Sequence, residues 1–363
     1  MKWIAALFLC CYSLCLYGDY ATELKKKIVQ NDPPQWVLKQ IDNDFRGISP
    51  KDLSQAALNA TTLDQDHGDM LLVRYKIVKK QITVVSATEW AKNHPRLPVM
   101  TAMFDRLLEV CRTKNLPFAD CEFILTLHDG YHYLWQSLPA PLFCSSKSRD
   151  MRRAILIPDF DILSNGGSLK EQVENGIKLY PWKSKKQMAF WRGASTGGYS
   201  NYHDSPRYKL VATSLLNPDF VDARFDRLVQ GVESNANEYA PFMGQRIDIQ
   251  DHLQYKYQIL VDGNSTAWSR AYWQLCSNCV MLKIQSNEVQ WFYGALKPYT
   301  HYVPVAGDSH DLVDVIQWAR NNDDAVRGIS KNGQQFASEN LNHASLLYYI
   351  YLVLRQYAEI QRL

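Results

Sequence analysis

Short apolar runs without polar alternation, each closed by glycine or polar residues and followed by a stretch of helical apolar spacing, recur along most of this chain. A run of that kind is a strand buried on both faces, and strands alternating with helices build a largely parallel sheet covered by helices. The run 121–127 follows a helical stripe of Met100, Met103, Phe104, Leu107, Leu108 and Cys111, and shorter runs stand at 141–144 and 154–157. Further on, 188–191, 221–225, 257–261, 280–284 and 302–305 are strand-like, with helix-like stretches at 206–216 and 312–320. The expectation is an α/β protein in two halves. Residues 164–186, rich in Gly, Ser and Lys and carrying Pro181 and Trp182, are expected to be the crossing between them, and 341–363 an apolar helix that packs across other elements.

Composition limits the function classes. The 363 residues are 46% hydrophobic, enough for two ordinary domains, and no repeat or low-complexity tract suggests a solenoid or a disordered chain. Forty Lys and Arg against 37 Asp and Glu leave a formal charge of +3, too small to mark a nucleic-acid-coating protein. Aromatic residues reach 12%, which suits a site for flat or hydroxyl-rich ligands.

Lys2 followed by the apolar residues 3–17 is expected to be a signal peptide spanning 1–18, cleaved near Gly18. Three of the eight cysteines, Cys10, Cys11 and Cys15, would leave with it. Cys111, Cys121, Cys144, Cys276 and Cys279 remain, an odd number, so at least one thiol lacks an intrachain disulfide.

Ligands of α/β sheets sit beyond the carboxyl ends of strands, and three such places stand out. The run 121–127 leads into His128, Asp129 and Gly130, where Asp129 is placed either to act as a general base toward a hydroxyl or to cap the turn. The run 188–191 leads into Arg192, Gly193, Ala194, Ser195, Thr196, Gly197 and Gly198, a loop whose backbone N–H groups and guanidinium suit phosphate oxygens. The run 257–261 leads into Asp262, Gly263 and a polar loop that opens a helix at Ser269 and Arg270. Two anion-suited loops in one half point to a phosphate-bearing ligand. The chain has no Gly-x-Ser-x-Gly elbow and no His-Glu-x-x-His, and Cys276-x-x-Cys279 has no second pair at zinc spacing. The Asp-x-Asp pairs 42/44, 64/66 and 159/161 are no more frequent than chance allows.

Taken in order, 188–197, 205–210, 255–264, 269–283 and 291–302 resemble glycosyltransferase family 90, the lipopolysaccharide-modifying group that includes protein O-glucosyltransferases. The resemblance runs from about Val73 to the C-terminus. It implies a GT-B architecture of two Rossmann-like domains facing across a cleft. Expected are an N-terminal acceptor-side domain over 19–182, a nucleotide-sugar domain over 183–340 and a C-terminal helix over 341–363. The activity implied is inverting, metal-independent transfer of glucose or xylose from a UDP-sugar to a hydroxyl of a glycan, lipopolysaccharide, lipid-linked sugar or protein. Asp129 matches the catalytic base, Arg192, Gly193, Ser195, Thr196 and Gly197 the donor loop, Arg270 the pyrophosphate arginine, and Arg207 a supporting donor group. His128 stands where the family usually has an arginine. No cofactor, metal or nucleic acid is expected, and the protein is expected to be a monomer. The expected compartment is the periplasm if bacterial, or the endoplasmic reticulum or Golgi lumen if eukaryotic. A non-catalytic exported module that binds a nucleotide sugar or glycan is the rival reading, and a metal-dependent GT-A enzyme using Asp159 and Asp161 a lesser one.

Overall fold

The computed structural model describes residues 20–61 and 70–362; the expected signal peptide, with its three cysteines, and the 64/66 pair lie outside them. Backbone contacts divide the chain into two units. The first holds the described residues up to 144, 151–158 and those from 340 onward, and the second holds 145–150 and 159–339.

The first unit is built on a mixed five-stranded sheet. Its strands are β1 (Leu72–Val78), β2 (Gln81–Ala87), β3 (Cys121–Thr126), β4 (Leu142–Cys144) and β5 (Ala154–Leu156), in the order β2-β1-β3-β4-β5. β1 pairs antiparallel with both β2 and β3, whereas β3, β4 and β5 run parallel. All six residues of β3 are buried, as a strand covered on both faces requires. Glu122, the single carboxylate in that run, is neutralised by Arg74 at 2.6 Å. Helix α1 (Arg96–Thr113) lays its apolar stripe on the sheet, where Phe104 meets Tyr75 and Phe123 at ring-centroid distances of 5.5 and 5.3 Å.

The second unit has a five-stranded sheet that is parallel throughout. It contains β6 (Lys186–Ala194), β7 (Val221–Arg227), β8 (Tyr255–Leu260), β9 (Val280–Ile284) and β10 (Val303–Val305), in the order β10-β9-β8-β6-β7. Counted from β6 this is the order 2-1-3-4-5, and strand order reverses between β6 and β8. In such sheets the crevice outside the carboxyl ends at the reversal is where ligands bind. Trp191, Phe225, Ile259, Leu282 and Val303 belong to the core beneath it.

Helix α2 (Phe160–Leu179) corrects one expectation. The segment 164–186 is no linker, since most of it is helical and lies within the second unit. Its glycines read as loop signals, yet Gly166 and Gly167 leave open space around their α-carbons, and Gly176 is required by packing. A Cβ there would lie 2.7 Å from the carbonyl oxygen of Gln250. Asp159 starts the helix, its Oδ1 accepting from the backbone N–H groups of Asp161 and Ile162.

The expected helices are present as α3 (Pro206–Leu216), α4 (Ser269–Cys276) and α5 (Leu312–Asn321), followed by α6 (Asp323–Asn340). The C-terminal stretch forms α7 (His343–Arg362), whose Tyr357 packs on Phe123 and Phe143 of the first unit. Cys111, Cys121, Cys276 and Cys279 are free thiols. Among the described residues no helix is long and apolar enough to cross a membrane.

Candidate functional site

Side-chain alternation along β6 sends Trp191 into the core and turns Phe190 and Arg192 to the opposite face. There the Arg192 guanidinium lies 4.4 Å above the Phe190 ring, and that ring stacks on Tyr255 at 4.0 Å. The neighbouring strand supplies Asp222, whose Oδ1 is 2.8 Å from Arg192 Nη2, while Nη1 donates to the carbonyls of Trp191 and Asp222. Nε is buried and has no acceptor.

Arg270, in the first turn of α4, donates from Nη2 to the Arg192 carbonyl at 2.7 Å and lies over the Trp273 ring. Its Nη1 is buried without an acceptor. Burial, and then the charge of Arg207, push its pKa down to about 10, which leaves it cationic at neutral pH. Arg207 is anchored on both loops: Nε donates to the Asp262 carbonyl at 2.9 Å and Nη1 to that of Ala194 at 2.7 Å. Burial lowers its pKa as well.

Arg192 and Arg270 line a pocket of about 370 Å³ together with Asp226, Arg246, His252 and Trp273, whereas Arg207 is not on its lining. His252 is buried between Phe190 and Trp273, and its Nδ1 has no partner. Burial and the charges of Arg270 and Arg192 push its pKa down to about 3, so it is neutral. The unused guanidinium N–H groups of this pocket are of the kind that suit an anion, and the Asp226 carboxylate shares the lining with them. Asp222, Arg246 and His252 carry no motif and were not singled out in the sequence. Trp273 stands three residues after Arg270, a spacing that places both on one helix face.

The two loops are fitted to each other at Gly263. A Cβ there would meet Thr196 Oγ1 at 2.4 Å and Arg207 Nη2 at 2.7 Å, so any larger residue must push those side chains aside. Gly193 is held similarly against the Trp191 ring, and Gly197, at φ +138°, donates its N–H to Gln230. The Ser195 hydroxyl is used within the fold, donating to the Val229 carbonyl and accepting from its N–H, so it shapes the loop. Asp262 accepts from Ala267 N–H and from the Ser286 hydroxyl. Trp268, just before α4, adopts φ +51°, a strained conformation for a bulky side chain and one typical of functional loops.

In the first unit Asp129 follows β3 by three residues and is partly exposed. Its Oδ1 lies 2.6 Å from Arg96 Nη2, and Arg96 Nη1 donates to the Leu127 carbonyl at 2.8 Å. His128 presents its ring edge-on to Trp135. Arg96 was not anticipated, because nothing in sequence connects it to a carboxylate 33 positions later. Of the Asp-x-Asp pair at 159 and 161, Asp159 caps α2 and Asp161 Oδ2 accepts from the Ser269 hydroxyl at 2.6 Å.

Comparison with known proteins accords with these loops. A family model described as glycosyl transferase family 90 matches residues 35–363. Protein O-glucosyltransferase 2 of Danio rerio is 31% identical over 339 residues, covering 89% of this chain and 62% of that protein. Protein O-glucosyltransferase 3 of Mus musculus is 32% identical over 270 residues, 70% of this chain and 50% of that protein. The chain thus spans between half and two thirds of the length of these relatives. Among solved structures, sucrose-phosphate synthase of Thermosynechococcus elongatus has 14% identity and a TM-score of 0.33 over 62% of this chain and 55% of that one. A likeness that low bears no weight in the assignment. On the match over residues 35–363, the chain belongs to glycosyl transferase family 90.

Proposed function

We propose that this protein moves a hexose or pentose, glucose or xylose, from a UDP-sugar to an acceptor hydroxyl with inversion at the anomeric carbon. The observation that carries the reading is the pair of buried, unused N–H groups, Arg192 Nε and Arg270 Nη1, in a pocket where strand order reverses. Buried donors without acceptors are costly, and a diphosphate supplies the missing oxygens. The relatives are named protein O-glucosyltransferases, which agrees with sugar transfer to a hydroxyl.

In this mechanism Asp129 takes the proton of the acceptor hydroxyl as its oxygen attacks the anomeric carbon. The bond to the UDP oxygen breaks on the opposite face. Arg192, Arg207 and Arg270 hold the diphosphate as negative charge grows on it, the part a divalent ion plays elsewhere. Gly193, Thr196 and Gly197 bring backbone close to the phosphates, and Ser195 keeps that loop in shape. A GT-B arrangement accommodates this chemistry, with the all-parallel unit taking the donor and the mixed-sheet unit carrying the base. The acceptor is a glycan, lipid-linked sugar or protein, and the reaction belongs in a secretory or exported compartment.

The test is a thermal shift. UDP raises the midpoint of the wild type by mass action, and Arg192→Ala and Arg270→Ala each lose most of the rise. A full shift in both variants would overturn the donor assignment.

A further inference from the structure

Three residues beyond the end of β3, Asp129 lies in a turn that by itself sets no side-chain orientation, yet a proton acceptor works only from one. The guanidinium of Arg96 spans that turn. One nitrogen is held by the Leu127 carbonyl at 2.8 Å and the other by Asp129 Oδ1 at 2.6 Å, so the group that grips the carboxylate is anchored on the backbone leading to it. Arg96 is itself fixed. It opens α1, whose Phe104 is locked between Tyr75 and Phe123 of the sheet. The pair is partly withdrawn from water, with side chains 20% and 29% exposed, so it is screened less than a surface ion pair.

We infer that Arg96 is the positioning residue for the proposed base: it fixes the Asp129 carboxylate at the end of β3 and supplies the cation beside it. The other titratable groups nearby are His94, from the turn before α1, and His128, from the turn after β3. His94 Nδ1 accepts from the Arg96 backbone N–H at 3.3 Å. Burial and the Arg96 charge hold its pKa below the usual histidine range, against the pull of Asp129, so it adds no cation at neutral pH. The arginine expected at position 128 is a histidine in this chain, and a guanidinium reaches the carboxylate from α1 instead.

The inference rests on Asp129 acting as the base, and the experiment separates the two. Transfer from UDP-glucose and UDP binding are measured for the full chain carrying Arg96→Ala, Asp129→Asn or both. Arg96→Ala is expected to lower kcat by about 10- to 100-fold with UDP affinity unchanged, the scale for losing orientation of a reacting group. Added guanidinium ion restores part of it, and Arg96→Lys, which keeps charge without the fork, falls between. In the Asp129→Asn background Arg96→Ala costs nothing further. Normal kcat in a folded Arg96→Ala protein, while Asp129→Asn is inactive, overturns the inference alone. Normal transfer by Asp129→Asn overturns the base assignment beneath it. Should Arg96→Ala not fold, Arg96→Lys with wild-type kcat is the overturning result.

Discussion

The two polar centres of this molecule are finished to different degrees. In the first unit the Asp129 carboxylate has its counter-charge in place, Arg96 at 2.6 Å, and stays partly open to solvent. In the second unit Arg192 and Arg270 are tied down by carbonyls and by Asp222 yet each keeps a buried N–H with no acceptor. A carboxylate already oriented is prepared to exchange a proton. Buried donors left over after the fold has taken what it needs are prepared for an anion that has yet to arrive. In the proposed function the contrast gives proton chemistry to one centre and charge binding to the other, and it breaks down if one substitution disturbs both.

The largest expected effect is at the first centre. Asp129→Asn keeps shape and hydrogen bonding but removes the proton acceptor, so transfer should fall by about a hundredfold or more while UDP binding stays near normal. Measuring both on one preparation decides it, because a turn-capping Asp would be replaced by Asn with activity intact.

Next in size is the junction of the donor loops. Gly263→Ala forces a methyl against Thr196 Oγ1 and Arg207, and overpacking of that kind costs about 1–3 kcal/mol in chemical denaturation. UDP affinity should drop with it, and adding Thr196→Ala should recover part of the loss. An unchanged Gly263→Ala protein would mean that the loops are not fitted to each other.

A smaller effect concerns His252. Its folded pKa, about 3, lies below the value of an unfolded histidine, near 6.5, so the unfolded state binds the proton first. The stability it contributes is therefore complete above pH 6.5 and is lost as pH falls from there toward 3. His252→Phe keeps the aromatic packing and cannot titrate, so its thermal midpoint should decline less steeply than that of the wild type between pH 7 and pH 4.5. Parallel curves would show that His252 is not held neutral. The smallest effect is expected from chelation: transfer in excess EDTA should remain at its starting value, and loss restored by manganese would favour the metal-dependent reading.

The legible part of the structure was local. The runs at 121–127 and 280–284 became β3 and β9 because a strand buried on both faces must be apolar almost throughout, and Pro206 after the capping Ser205 marked the start of α3. The antiparallel β1–β2 hairpin went unread: β2 carries Ile82, Val84 and Val85 but is mostly exposed, so its apolar residues do not form the buried run by which the other strands were recognised. Residues 164–186 misled, because Gly166 and Gly167 signal loops wherever they occur, while the helix through them is held by packing, as at Gly176 against Gln250.

The candidate site divides along the same line. Arg192, Arg270 and Asp129 could be found from sequence because each lies near the carboxyl end of a strand or on the loop-and-helix start beyond it, where parallel sheets expose ligand-binding turns. β6, however, runs on to Ala194 and so holds Arg192 and Gly193 within the strand and not in the expected loop. Their partners could not. Asp222 meets Arg192 only because β7 lies beside β6, Arg96 meets Asp129 only because α1 packs on β3, and His252 reaches the pocket through its packing between Phe190 and Trp273. By itself the sequence determined which side chains stand at strand ends, because hydrophobic periodicity is a property of neighbouring residues. Only the tertiary structure decided which donors were consumed and which were left over, because hydrogen-bond satisfaction depends on residues distant in the chain.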